Sequence, residues 1–157
     1  MKSFSIEDVK LFMNELLVQE KFDSFYLFDA RVKTAVDYYV NGKIHYEFYE
    51  GETDEAMIPD TEYVMWKDMK QTIFDFMKGT RLPLRFKIVL MFNRDNITRL
   101  VEMNHLPMDS SDVGALFMNI IYEDGALSVT TGTSMKVFTM DKSLEHIWDE
   151  TVEKYYI

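Results

Sequence analysis

One predicted strand near the C-terminus carries side chains that could bind an anion. From residue 128 to residue 136, a series of small and hydroxyl-bearing residues alternates with Val129, Thr131, Thr133 and Met135, and the series ends in a lysine. Alternate residues of a strand point to one face, so this set should share a flat surface: Ser128, Thr130, Gly132, Ser134 and Lys136. Hydroxyls and an ammonium group can together bind a carboxylated metabolite. A glycine in mid-strand often marks close approach by a ligand or another backbone.

Two more cations, Arg85 and Lys87, lie on a second predicted strand. If that strand neighbours the Ser/Thr-rich one, its cations would complete a site for an anionic small molecule. The alternative interpretation is an ordinary exposed strand, because threonine favours strands whether or not a ligand binds there.

The sequence offers little else that resembles a catalytic or metal site. It has no Gly-rich phosphate loop, nucleophile elbow, EF-hand loop or paired-histidine zinc helix. His105 adjoins a loop with Asp109 and Asp112, and His146 lies one turn before Asp149. These groups could hold a divalent metal if loop and helix met, but solvated histidines beside ordinary surface acids are commoner. We therefore predict no catalytic residues, no metal and no cofactor.

The charge of the chain argues against a nucleic-acid partner. Its 157 residues include 17 Lys and Arg against 27 Asp and Glu, a net charge of −10 that repels a phosphate backbone. Residues 81–99 are locally basic, which we interpret as neutralisation of acidic surroundings.

Several features favour a cytoplasmic protein. The absence of cysteine removes disulfides and thiolate chemistry and suits a reducing compartment. The N-terminus is acidic where a secretory peptide is apolar. Apolar runs such as residues 88–92 are far shorter than the ~20 residues that span a bilayer, so we expect no membrane contact.

Apolar residues at helical spacing predict three to four amphipathic helices. The first begins after Ser5 as its N-cap, and the second covers residues 61–78. A short third helix covers residues 95–103, and Asp141 caps the last one.

Alternating segments predict two antiparallel hairpins and a central strand. The first hairpin joins residues 32–40 to residues 44–48 through Asn41-Gly42, because both turn residues tolerate positive φ. The second joins residues 116–122 to residues 127–138 around Glu123-Asp124-Gly125, although residues 113–121 could instead start helically. With a central strand at residues 82–93, the hairpins form one sheet packed by the helices. The predicted class is α+β, in a single domain of residues 1–157.

Four segments carry a resemblance to other proteins: residues 2–10 (KSFSIEDVK), residues 22–25 (FDSF), Asn41-Gly42, and residues 130–149 with TTGTS, FTMDKSLE and WD. In these segments the chain resembles a bacterial family of uncharacterised proteins. The resemblance extends over the whole chain and implies a bacterial cytoplasmic protein of unknown function, with no catalytic residue to transfer.

Two kinds of function follow as hypotheses. The first is a non-catalytic binding or regulatory protein that acts through a protein surface or a small ligand. The second is a small enzyme or metabolite-binding protein that uses the Ser/Thr/Gly face with Arg85 or Lys87. Tyrosines such as Tyr38, Tyr39 and Tyr155 are favourable interface anchors, so a protein partner or a homodimer, through these rings or a sheet edge, is also expected.

Overall fold

A computed structural model describes all 157 residues and contains one six-stranded antiparallel sheet in the order β1-β6-β5-β4-β2-β3. The strands are β1 (Ser3–Ile6), β2 (Tyr26–Lys33), β3 (Asp37–Asn41), β4 (Arg85–Met91), β5 (Val113–Glu123) and β6 (Ala126–Met135). The helices are α1 (Val9–Leu17), α2 (Trp66–Met77), α3 (Arg94–Met103) and α4 (Ser143–Tyr156). The predicted α+β class, with one sheet and amphipathic helices, is confirmed.

One face of the sheet forms the core with the helices. A row of cross-strand neighbours runs across it, from Phe4 through Val129, Ile120 and Ile88 to Ala30. All four helices add buried side chains to the same cluster of 27 residues, including Leu16, Trp66, Ile97 and Trp148. None of the helices is both long enough and apolar enough to cross a membrane.

The second predicted hairpin is confirmed. Strands β5 and β6 pair from Glu123↔Ala126 onward, and the two turn residues Asp124 and Gly125 have φ of 54° and 78°. Two consecutive positive φ values give a turn whose twist matches the flanking strands. Residues 113–121 are therefore extended, and the alternative of a helical start is wrong.

The first predicted hairpin is wrong about its turn. Strands β2 and β3 do pair, but the chain reverses at Thr34-Ala35-Val36, between the paired residues Lys33 and Asp37. A three-residue loop keeps the alternation in step, so core-facing Val32 lies opposite core-facing Tyr38. The alternation of apolar and polar residues therefore continues from β2 into β3 without interruption, and it does not reveal the turn between them. Asn41 ends β3, and residues 46–49 form a 3₁₀ turn in place of the expected strand.

The first predicted helix is confirmed, but the prediction of its start is wrong. Ser3–Ile6 forms β1 against β6, and α1 starts only at Val9, where the Asp8 carboxylate accepts a hydrogen bond from the Leu11 N–H at 3.0 Å. Ser5 is thus a strand residue, not an N-cap. Tertiary pairing with β6 has overridden the local helical signal. Similarly, α2 begins at Trp66, five residues later than expected.

Candidate functional site

The opposite face of the sheet, which we call the helix-free face, has no helix packed on it. It consists of the residues that alternate with the core-facing ones: Ser3 and Ser5 of β1, Ser128, Thr130 and Gly132 of β6, Phe117, Asn119 and Ile121 of β5, Arg85, Lys87, Val89 and Met91 of β4, Asp29 and Arg31 of β2, and Tyr39 of β3. Polar, apolar and charged side chains occupy successive parts of this surface.

A strip of hydroxyls lies along β1 and β6. The Thr130 hydroxyl donates to the Ser3 hydroxyl at 3.1 Å. On the neighbouring strand, the Asn119 side-chain amide donates to the Thr130 carbonyl, also at 3.1 Å. These bonds fix the orientation of the strip but leave hydroxyl oxygens able to accept further hydrogen bonds.

The centre of the helix-free face is apolar. Val89 and Met91 are only 6% and 7% exposed, although neither belongs to the core cluster. The half-buried ring of Phe117 lies beside them on β5 and packs edge-on against Phe28, with centroids 5.5 Å apart. Phe28 in turn packs at 5.5 Å on Tyr63. Aromatic and aliphatic groups therefore form a second, smaller apolar cluster on the side away from the helices.

Charged residues occupy the β4, β2 and β3 side of the face. The Arg31 guanidinium lies 4.5 Å from the centroid of the Tyr39 ring, and Arg85 forms an ion pair with Glu123 at 3.7 Å. Lys87 forms no ion pair.

The structure brings some of the predicted site residues together. Ser128, Thr130 and Gly132 share the helix-free face, with Ser134 at its exposed end. The predicted neighbouring of the two strands is wrong, because β5 lies between β6 and β4. Lys87 and Ser128 do occupy one cross-strand row through Ile121, but two strand spacings separate their backbones by about 10 Å.

Lys136 lies apart from the hydroxyl strip. Strand β6 ends at Met135, and the chain then bends, with the Lys136 N–H donating to the Asp112 carbonyl at 2.8 Å. The exposed Lys136 lines a groove of about 310 Å³ near the start of α4, together with Asp141 and Lys142. The prediction that Lys136 extends the hydroxyl face fails because the strand stops one residue too early.

Comparison with known proteins shows the family. The model of a family of unknown function, DUF5721, matches residues 15–157. The chain belongs to the DUF5721 family. No curated protein and no solved structure matches it. This agrees with the resemblance to uncharacterised proteins seen in the sequence, and the family description names no activity.

Titratable groups in this DUF5721 chain are shifted mainly by local hydrogen bonds. The Ser143 hydroxyl and N–H lower the pKa of the Asp141 carboxyl, and the Ser111 N–H and hydroxyl lower that of Asp109. Both Asp–Ser pairs lie at the starts of helical turns.

No three His, Asp or Glu side chains gather to hold a metal, so the alternative metal site around His105 and His146 is not assembled.

The sequence of β4 predicts part of the apolar centre of the helix-free face, which the burial of Val89 and Met91 confirms. Its signal was present in β4, where Val89 and Met91 are apolar although they alternate with the core-facing Ile88 and Leu90. That pattern indicates a strand covered on both faces. Only the fold shows that Phe28 and Phe117 lie on the face of β4 away from the helices.

Proposed function

We propose that this protein is a non-catalytic binding or regulatory protein of the bacterial cytoplasm and that it docks a protein partner on the helix-free face. The observation that carries the proposal is the apolar centre of that face. The solvated side of an antiparallel sheet is ordinarily polar, whereas here Phe117 and Ile121 are partly exposed beside the buried Val89 and Met91. Apolar groups of this kind, rimmed by polar ones, are typical of interaction sites.

The shape and the rim support a protein as the occupant. A sheet face is broad and gently twisted, whereas small-molecule sites are concave. On one side of the apolar centre lie the hydroxyls of Ser128 and Thr130, and on the other lie Lys87 and Arg31. Such a polar border lets a partner satisfy hydrogen bonds around a dry centre.

A homodimer is the second arrangement that a specific observation favours. Both edge strands, β1 and β3, pair on one side only, and an unpaired edge can add a strand from another copy. Tyr39 is 54% exposed on β3, where it would meet its counterpart in an antiparallel pairing of two such edges.

The alternative of a small enzyme or metabolite-binding protein has weaker support. Its residues Ser128, Thr130 and Gly132 lie on one face, yet the backbone of Lys87 is two strand spacings, about 10 Å, away across β5. Ile121 lies between them in the same cross-strand row, so the two groups do not form one contiguous polar site. The cytoplasmic location is supported by the absence of cysteine, and the bacterial origin by the resemblance of the sequence segments quoted above.

Site-specific photo-cross-linking in cells tests the docking proposal. A benzophenone amino acid replaces Ile121 on the helix-free face, and in a matched control it replaces Lys10, an exposed residue of α1. We expect a discrete protein adduct from position 121, absent from position 10 and lost on addition of Phe117→Glu. Circular dichroism checks that each variant is folded.

The mass of the adduct separates the outcomes. A species of twice the chain mass, matched by a dimer in light scattering, identifies a second copy as the partner. A heavier or lighter discrete species identifies a different protein. Equal cross-linking from both positions, or none from position 121, overturns the proposal.

A further inference from the structure

A groove between α3 and α4 lies away from the helix-free face. We call it the α3–α4 groove. It has a volume of about 640 Å³ and is lined on one side by Arg99 and Leu100 of α3 and on the other by Ile147 and Lys154 of α4. Small-molecule sites typically have volumes of about 300 to 1,000 Å³. The groove is thus large enough for a ligand of one or two rings.

The floor of the groove is apolar and aromatic. Phe92, which is 8% exposed, forms part of it. The Tyr156 ring is held at its side by an edge-on contact with Phe25 at 5.1 Å and another with Phe92 at 6.4 Å. Rings that are fixed in this way offer a preorganised surface for the flat, apolar body of a ligand.

The rim of the groove is positive, in contrast to the chain as a whole. Arg99 and Lys154 line the groove and form no ion pair. Glu150 is the one carboxylate in the lining, so the local formal charge is +1 in a chain of −10. Two unpaired cations on facing helices favour an anionic group between them.

One of the two helix C-termini that border the groove is capped. The C-terminal carbonyls of a helix carry partial negative charge, and α3 ends beside the groove. Asn104 caps that end, because its backbone N–H and side-chain amide both donate to the Leu100 carbonyl, at 3.3 Å and 2.8 Å.

The Tyr156 hydroxyl provides a free polar group. It has no hydrogen-bond partner within the protein, and Tyr156 lies between the α3–α4 groove and a second groove beside α1. Burial raises the pKa of Tyr156 above its ordinary value, so the phenol keeps its proton at neutral pH and can donate it to a ligand oxygen.

From the aromatic floor, the two unpaired cations and the free phenol, we propose that the α3–α4 groove binds a small aromatic carboxylate. The ring lies on Phe92 and Tyr156, and the carboxylate lies between Arg99 and Lys154. The site goes beyond the docking function, since it uses none of the residues of the helix-free face.

Titration with 2-naphthoate, followed by amide chemical shifts, tests the site. A ligand of this size in an open groove should bind with a Kd on the order of 1 mM or tighter. The largest shifts are expected in α3 and in the second half of α4. The uncharged analogue 2-naphthalenemethanol should bind about tenfold more weakly, because it loses the charge-assisted hydrogen bonds.

Two double variants with equal charge provide the matched comparison. Arg99→Gln with Lys154→Gln should weaken 2-naphthoate binding about tenfold or more. Lys33→Gln with Arg81→Gln, at exposed positions near the other end of β4, should leave it unchanged. Tyr156→Phe keeps the ring and should weaken binding by a smaller factor.

Any one of the following results overturns the proposal. The first is the absence of saturable shifts up to the solubility limit of 2-naphthoate. The second is saturable shifts that fall outside the groove. The third is equal affinity of the wild type for the acid and the alcohol, or equal affinity of the two double variants for the acid.

Discussion

At the residue scale, Gly42 is required by its surroundings and Gly132 is not. A Cβ at Gly42 would lie 1.8 Å from the Leu27 carbonyl oxygen, whereas at Gly132 the nearest heavy atom is the Phe117 Cβ at 3.6 Å. A glycine is therefore needed at position 42 because two backbone segments approach closely there, not because a turn demands a positive φ. Gly132 has room for a side chain, and the flatness of the hydroxyl strip does not depend on it.

The two glycines provide a matched pair of substitutions. Gly42→Ala should lower the free energy of unfolding by at least about 2 kcal/mol, because backbone atoms must move apart. Gly132→Ala should change it by less than about 0.5 kcal/mol, or raise it, since alanine restricts the unfolded chain. Urea unfolding measures both. Equal losses in the two variants would contradict the difference in packing.

At the scale of elements, the tryptophans connect helices to their neighbours. The fully buried Trp66 begins α2, and its indole N–H donates at 2.9 Å to the Leu16 carbonyl in α1. Trp148 of α4 donates in the same way, at 2.9 Å, to the Phe117 carbonyl of β5. Each bond satisfies a polar group that is enclosed by the core, so each helix is held in one register.

Trp66→Phe should therefore destabilise the protein by about 2 to 4 kcal/mol. The variant leaves the Leu16 carbonyl without a partner and creates a small cavity. The neighbouring exposed residue of α2 gives a control, and Lys67→Ala should change stability by less than about 0.5 kcal/mol. Chemical unfolding monitored by circular dichroism compares the two. A loss no greater in Trp66→Phe than in Lys67→Ala would contradict the anchoring role.

Elements with their own local signals were predictable, and those set by distant partners were not. The β5–β6 turn has Asp124-Gly125, and α3 begins after Asn93, whose carboxamide oxygen accepts from the Asn96 N–H at 2.8 Å. The β2–β3 turn at residues 34–36 has no Gly, Pro, Asn or Asp, so nothing local marks it. The same limit applies to the site: alternation grouped Ser128, Thr130 and Gly132 correctly, but strand order, which separates Lys87 from them, is a long-range property.

At the scale of the molecule, the two ends of the chain are joined. The Lys2 N–H donates to the Thr131 hydroxyl oxygen at 2.9 Å, and the Thr131 N–H donates to the Lys2 carbonyl at 2.9 Å. The Thr131 hydroxyl also donates to the Asp149 carboxylate of α4. Strand β1, strand β6 and the last helix are thus bonded to one another beside the core, which favours the predicted single domain.

A single domain predicts one cooperative unfolding transition. Trp66→Phe leaves Trp148 as the only tryptophan, on the α4 side of the core, and Trp148→Phe leaves Trp66, on the α1–α2 side, so selective excitation of tryptophan reports on one side at a time. Within each variant, fluorescence and far-ultraviolet circular dichroism should give the same denaturant midpoint, because the two halves share one core and lose it together. The comparison is made within a variant, so the lower stability of either one does not affect it. Separate midpoints, or a plateau in either curve, would mean that the helices on the two sides unfold as independent units.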